Sequence, residues 1–243
     1  MTGKLTHIWR YPIKGIGSEA LSETMLTAGA PLPGDRAWAL LHAGGKDHDQ
    51  WQRRRNFLVV ASGPKLAQVS AKTEGEQFRL SHPSQPDLLF DPQTQGQDLI
   101  NWATPLWPEA HSAPKRLVKA PPEGMADNGL AQVSIMNMAS LRALSQKLGA
   151  PLDPLRFRGN LWLDGLAPWE EFDWIDKTIQ IGPITFSVTE RIERCRATEA
   201  NPKTGARDVD PVRALTQGWG HKDFGVYASV ATSGVLRIGD ALG

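Results

Sequence analysis

The single cysteine of this chain, Cys195, lies in the run Arg191-Ile192-Glu193-Arg194-Cys195-Arg196-Ala197-Thr198. Arginines at 191, 194 and 196 surround it with positive charge, which favours the thiolate, the form that serves as nucleophile or soft-metal ligand. Cys195 follows a predicted strand and precedes the turn-rich loop Asn201-Pro202-Lys203-Thr204-Gly205. Ligand-bearing residues gather at strand-to-loop junctions of this kind. The same residue also reads as a small buried apolar group among surface arginines. Local context leaves both readings open.

Basic residues recur at other breaks in the pattern: Lys14, Arg36, the run Arg53-Arg54-Arg55, and Arg156 with Arg158. Gathered in space, they would form a pocket for one anionic small molecule. Lys14 lies beside Gly15 and Arg36 follows the turn Pro33-Gly34-Asp35, and at such turns a backbone can approach a phosphate closely. Arg53–Arg55 equally fits a solvated basic run. There is no Walker-type loop, no dinucleotide fingerprint and no Gly-x-Ser-x-Gly elbow. His42 and His48, with Asp47 and Asp49 between them, lack helical ligand spacing and read as a polar loop.

Composition narrows the class. With 27 Lys plus Arg against 26 Asp plus Glu, the formal net charge is +1, which argues against nucleic acid or an anionic membrane as partner. One cysteine excludes an intramolecular disulfide and any multi-cysteine metal site within the chain. No apolar run approaches the roughly 18–20 residues of a membrane span, and Met1–Arg10 carries no signal-type apolar core. The expectation is a soluble, cytoplasmic protein. The 23 glycines and 18 prolines in 243 residues point to strands joined by tight turns.

The elements that must position these groups follow from periodicity. Leu5–Arg10 alternates as a strand, with Leu5, His7 and Trp9 on one side, and ends at Tyr11-Pro12-Ile13-Lys14-Gly15. Ala37–His42 reads as a buried strand, Asn56–Ala61 and Ala67–Ala71 as strands flanking a Ser62-Gly63-Pro64 turn, and Ser81–Gly96 as loop. Asn137 caps a helix through Leu148 that Gly149 and Pro151 stop. Asp210-Pro211 opens a second helix through Leu215. Arg156–Phe157, Leu161–Leu163, Thr178–Ile181, Thr185–Arg191, Val226–Ala231 and Val235–Ile238 are strand candidates. Five prolines between Pro105 and Pro122 mark a boundary, giving domains 1–115 and 116–243. The predicted class is α+β and strand-rich, a closed or nearly closed β-barrel with a β-rich N-terminal domain and a few short helices.

These segments, in order, resemble the MOSC family, named for the molybdenum cofactor sulfurase C-terminal domain, together with its N-terminal β-barrel-like domain. Tyr11-Pro12-Ile13-Lys14-Gly15 is similar to the family's Tyr-Pro-Val-Lys-Ser, Gly34-Asp35-Arg36 to its Gly-Asp-Arg, and Arg156-Phe157-Arg158-Gly159-Asn160 to its Arg-Phe-Arg-Pro-Asn. Arg194-Cys195-x-x-Thr198-x-x-Asn201-Pro202-x-Thr204-Gly205 matches the signature around its molybdenum-binding cysteine. Phe224-Gly225-Val226-Tyr227 and Ile238-Gly239-Asp240 match its closing strands.

The resemblance implies a molybdenum–pterin cofactor, with Cys195 as metal ligand and catalytic residue. It places Lys14, Gly15, Arg36, Arg158, Asn160, Arg194 and Tyr227 at cofactor-contacting positions. In relatives such as the mitochondrial amidoxime-reducing component, such a site reduces N-hydroxylated compounds. The chain departs from the pattern in having Gly15 for serine, Gly159 for proline and Glu193 for a small polar residue. It also has no clear counterpart of the family's Asp-Thr-Ser segment around Gly129–Ala131. Two functions follow. One is a reductase of amidoxime- or hydroxylamine-type small molecules. Its electrons would come from a separate soluble donor protein, since one cysteine holds no iron–sulfur cluster, and Arg53–Arg55 are candidate docking charges for an acidic donor. The other is a non-catalytic carrier of cofactor or sulfur, with Cys195 as persulfide.

Overall fold

The computed structural model describes residues 3–46 and 50–243; His48, Asp47 and Asp49 lie outside them. The N-terminal half carries β1 (Lys4–Arg10), β2 (Ile13–Lys14), β3 (Glu19–Leu21), β4 (Glu23–Leu26) and β5 (Trp38–His42). After these come β6 (Ser70–Glu74), β7 (Gln77–His82), β8 (Gln85–Phe90), helix α1 (Gly96–Ala103) and β9 (Pro114–Lys119). The C-terminal half has β10 (Val133–Asn137), α2 (Met138–Leu148), β11 (Leu161–Asp164), β12 (Thr178–Ile181) and β13 (Ile184–Glu193). It ends with α3 (Pro211–Trp219), β14 (Asp223–Val230) and β15 (Gly234–Arg237).

The largest sheet runs β12-β13-β14-β10-β11-β1-β3, so the first strand of the chain completes the sheet of the second half. Alternation along β10 and β11 sends Ile135, Leu161 and Leu163 to one face and Met136 and Trp162 to the other. The first face is closed by β4, β15 and the residues around Phe172 and Trp174, and α2 and α3 cover the second. The sheet does not close strand to strand. Instead the C-terminal residues Ala241 and Leu242 bridge Lys4 of β1 and Ile181 of β12. A second core, built on Ile13, Leu40, Leu58, Phe90, Trp102 and Trp107, lies under the β2-β5-β9 and β6-β7-β8 sheets. The fold is α+β and strand-rich. Among the described residues no helix is long and apolar enough to cross a membrane.

Four local expectations are corrected. Strict alternation in β1 fails because its register shifts between Leu5 and His7, so Leu5 and Ile8 are the buried pair. Asn56–Ala61 and Ala67–Ala71 do not form a hairpin. Pro64 starts a 3-10 turn over Pro64–Gln68, and only Phe57 bridges to Leu41. The segment after Ser81 is not loop, because Pro86 sits in β8, an edge strand paired only with β7, where a missing N–H costs nothing. Arg156–Phe157 is a 3-10 turn that Asp153 caps and Pro154 opens, ending on Arg158 in the left-handed region.

Helix α2 forms as its caps predict: Asn137 Oδ1 accepts from the Ala139 N–H at 2.8 Å, and Gly149 is left-handed. Asn137 is fully buried, and its Nδ2 donates to Ala167 O (2.7 Å) and Glu171 Oε2 (2.8 Å). Ser140 Oγ lies 2.8 Å from the other Glu171 oxygen. Burial raises the Glu171 pKa despite these bonds. Replacing Asn137 with alanine removes a cap and strips a buried carboxylate of a donor. We expect Asn137→Ala to lower unfolding free energy by about 2–4 kcal/mol in urea titrations; a loss within experimental error would refute this role.

Candidate functional site

The thiol is held by a short rigid loop. Cys195 ends the β13 side and caps a 3-10 turn over Arg196–Glu199, its carbonyl accepting from Thr198 N (3.2 Å) and Thr198 Oγ1 (3.1 Å). Arg156 anchors the far side. Its buried guanidinium donates to Thr198 O (3.3 Å) and Glu199 O (2.8 Å) and grips both oxygens of Asp208 at 2.6 and 2.9 Å. Arg156 therefore fixes the loop and has little left for an anion. Arg207 ties the same loop to the N-terminal half through Ala61 O at 2.8 Å.

Around the thiol stands a wall of cations. The Arg158 guanidinium lies over the Tyr11 ring at 4.3 Å, with Arg36 over the same ring at 5.1 Å. Asp35 accepts from Tyr11 N (2.8 Å) and pairs with Arg36, whose other arm donates to Arg158 O at 2.9 Å. Arg194 is held by the carbonyls of Phe157 (2.8 Å) and Phe224 (2.8 Å) and by Met136 Sδ (3.2 Å). Arg158 has one long hydrogen bond, to Gly17 O at 3.4 Å, and no carboxylate partner among the described residues.

The titration behaviour follows from this crowding. Burial, then repulsion from Arg36, lowers Arg158 to about 10, and burial does the same to Arg194. Burial tends to lower Arg36, but Asp35 beside it raises its pKa overall. Lys14 is 4% exposed and donates to Met125 O at 2.7 Å and to Asp127. Burial pushes Lys14 down; it pushes Asp127 up, but Lys14 and the nearby arginines bring that carboxyl below its ordinary value. Tyr227 is raised by burial, and its hydroxyl has no hydrogen bond among the described residues.

All eight residues expected to form the site line a single cleft of about 210 Å³: Lys14, Gly15, Arg36, Arg158, Asn160, Arg194, Cys195 and Tyr227. Their contributions differ. Asn160 is a structural knot, with Oδ1 accepting from Ser134 N and Oγ (3.2 and 2.8 Å) and Nδ2 donating to Trp9 O (3.1 Å). Gly15 has φ +76°, and a Cβ there would lie 2.4 Å from the Leu58 carbonyl oxygen, so only glycine fits. Of the basic run, Arg54 lines the cleft while Arg53 and Arg55 do not. Sequence reasoning missed Asp127, which lies in a stretch without periodicity, and the role of Asp35 as counter-ion. Among the described residues no cluster of three or more His, Cys, Asp or Glu could hold a metal ion.

A buried cation without counter-charge destabilises the fold, and an anion that reaches it restores the balance. We expect phosphate to raise the melting temperature of the cofactor-free protein in a saturable way. Arg158→Met should raise stability without phosphate by about 1 kcal/mol and blunt the phosphate response. Equal phosphate responses in calorimetric scans of the two proteins would contradict this account of the cleft.

The model of the MOSC domain matches residues 123–243, and that of the MOSC N-terminal beta barrel domain matches residues 2–114. Molybdenum cofactor sulfurase from Anopheles gambiae is 38% identical over a stretch covering 43% of this chain and 15% of that protein. Molybdenum cofactor sulfurase 3 from Aedes aegypti is 25% identical, covering 93% of this chain and 34% of its own length. The chain thus spans a minor part of these sulfurases. Mitochondrial amidoxime-reducing component 1 from Xenopus laevis is 22% identical, covering 98% of this chain and 81% of its own. Among solved structures, the YUAD protein from Bacillus subtilis superposes with a TM-score of 0.49 at 12% identity over 100% of this chain and 94% of its own. Matched in tandem by the two domain models, the chain belongs to the MOSC family, in the form that carries a MOSC N-terminal beta barrel domain.

Proposed function

We propose that this chain is a molybdenum-cofactor oxidoreductase that reduces N-hydroxylated small molecules, with Cys195 as the protein ligand to the metal. The observation that carries the reading is that the only thiol opens into the same cleft as Arg158 and Arg194, two cations with no carboxylate partner among the described residues. The donor set fits the group: a thiolate suits molybdenum, and guanidinium and ammonium groups suit a phosphate and a pterin. Lys14, Arg36 and Arg158 would neutralise the phosphate, and Arg194 and Tyr227 would supply hydrogen bonds beside the metal ligand. Gly15 would let the backbone approach, and Asn160 would hold the strands around it. When bound, the cofactor supplies a two-electron centre that takes up oxygen from a substrate.

The overall change is R–C(NH2)=N–OH + 2e⁻ + 2H⁺ → R–C(NH2)=NH + H2O. The relative whose name states amidoxime reduction aligns over nearly the whole chain, which supports this substrate class. The electrons would come from a donor protein, and the exposed Arg53, Arg54 and Arg55, one of them on the cleft wall, suit docking of an acidic one. The sulfurase relatives support a second reading, a carrier of cofactor or sulfur, because the 38% match involves a molybdenum cofactor sulfurase.

Metal analysis and turnover separate the two. Protein made in a cofactor-competent host should contain molybdenum and reduce benzamidoxime repeatedly with a reduced dye as donor. Cys195→Ser should lower metal retention by roughly 10–100-fold and abolish turnover. Cofactor-loaded protein without repeated turnover points to the cofactor carrier, and protein that takes up no molybdenum when the cofactor is supplied overturns the reductase and the cofactor carrier and leaves only a sulfur carrier.

A further inference from the structure

Tyr11 is fully buried and does not line the cleft, yet it touches residues that do. Its N–H donates to Asp35 Oδ1 at 2.8 Å, and its carbonyl accepts from Arg36 N at 2.7 Å. Its hydroxyl donates to the Gly159 carbonyl at 3.3 Å, which also accepts from Trp162 Nε1 at 3.2 Å. The ring meets the guanidiniums of Arg36 and Arg158, one from each half of the chain, at 5.1 and 4.3 Å. Both arginines have left-handed backbone, φ 51° and 49°, a conformation that costs any residue with a Cβ. Strain of this kind clusters at functional sites. The arginines of this region are also balanced in different ways. Arg156, which braces the Cys195 loop, has the Asp208 carboxylate; Arg158 has an aromatic face instead. A carboxylate balances a cation but repels an incoming anion. A ring takes the place of water at the cation and leaves its charge for a ligand.

We propose that Tyr11 is the positioning residue of the anion site: its ring holds Arg36 and Arg158 as one clamp before an anionic group arrives. This rests on the reading of the cleft as the site of a phosphate-bearing cofactor, and it names the group that prepares that site. Arginine side chains lose several rotatable bonds when they grip a ligand, and arms fixed in advance remove that cost from binding. The Tyr11 hydroxyl is secondary, because Trp162 holds the same carbonyl. The attraction resides in the electron-rich face of the ring, so a ring of the same outline with an electron-poor face releases the arms.

Calorimetric titration of the cofactor-free full chain with inorganic phosphate tests this in the wild type, Tyr11→Phe and Tyr11→pentafluorophenylalanine. Tyr11→Phe keeps the face and should bind phosphate within about twofold of the wild type. The pentafluoro variant should bind phosphate roughly tenfold more weakly than Tyr11→Phe. The two rings differ little in outline, so a purely structural role for Tyr11 would leave their affinities equal. Nuclear magnetic resonance gives a measurement that needs no variant. The Arg158 side-chain protons of the wild type should be shifted upfield by the Tyr11 ring current without phosphate, and should keep that shift when phosphate saturates the site. Equal phosphate affinities in the two variants, unshifted Arg158 protons before phosphate is added, or a wild type that binds no phosphate overturns the proposal. Phosphate affinity that follows the ring, in a protein that takes up no molybdenum, supports the clamp and refutes the cofactor reading. Molybdenum uptake with affinities that ignore the ring does the reverse.

Discussion

Crowding of positive charge around one cleft is the constraint that organises this molecule. Arg36, Arg158, Arg194 and Lys14 all reach the same space, and the carboxylates there are fewer than the cations. Separated cations of this kind are tolerable only where other groups replace water. Here the replacements are mostly not charges. Tyr11 offers its π face to two guanidiniums at once, and backbone carbonyls of Phe157, Phe224 and Met125 accept from Arg194 and Lys14. Phe157 ends its 3-10 turn, Phe224 lies where the register of β13 against β14 shifts, and Met125 lies outside any strand or helix. Irregular backbone around the cleft thus supplies the acceptors that hold the cations.

That arrangement also explains why the two halves cannot be understood separately. Lys14, Arg36 and Tyr11 come from the first forty residues, while Arg158, Arg194 and Cys195 come from the second half. The link is physical: Arg36 donates to the Arg158 carbonyl, Tyr11 to the Gly159 carbonyl at 3.3 Å, and Asn160 to the Trp9 carbonyl. β1 then runs antiparallel to β11 immediately beside these contacts. Strand pairing sets the register between the halves, and the register brings the cations together.

Much of this was legible in the sequence where local chemistry decides the structure. The cap at Asn137, the stop at Gly149, and strand β12 at Thr178–Ile181 follow from residue type and spacing alone. The eight candidate residues that meet in the cleft stand out in the sequence because turn residues and basic residues coincide at Lys14, Arg36 and Arg158, and because their order, with Cys195, resembles a known pattern. What was not legible depends on partners distant in the chain. Pro86 is accommodated because β8 happens to be an edge, and the bulge in β1 reflects how β11 meets it. Asp127 gains its place from Lys14, 113 residues away, with no periodic signal in its own segment.

The departures from the family pattern have a packing logic of their own. At position 159 a Cβ would lie 2.3 Å from Met136 Cγ, and at position 225 one would lie 2.3 Å from Met136 Sδ. Met136, fully buried, fills the volume that side chains at both positions would need, and its sulfur accepts from Arg194 at 3.2 Å. A proline at 159 and a methionine at 136 therefore compete for one space, and this chain has settled the competition in favour of the sulfur contact. Gly15 is fixed by the same kind of argument, since the Leu58 backbone occupies the place of a serine side chain. The hydroxyl missing at 15 follows from how closely the Leu58 backbone approaches, and the ring missing at 159 from the volume that the Met136 side chain takes. The cationic wall stays in place because it is held by main-chain carbonyls that such substitutions leave untouched.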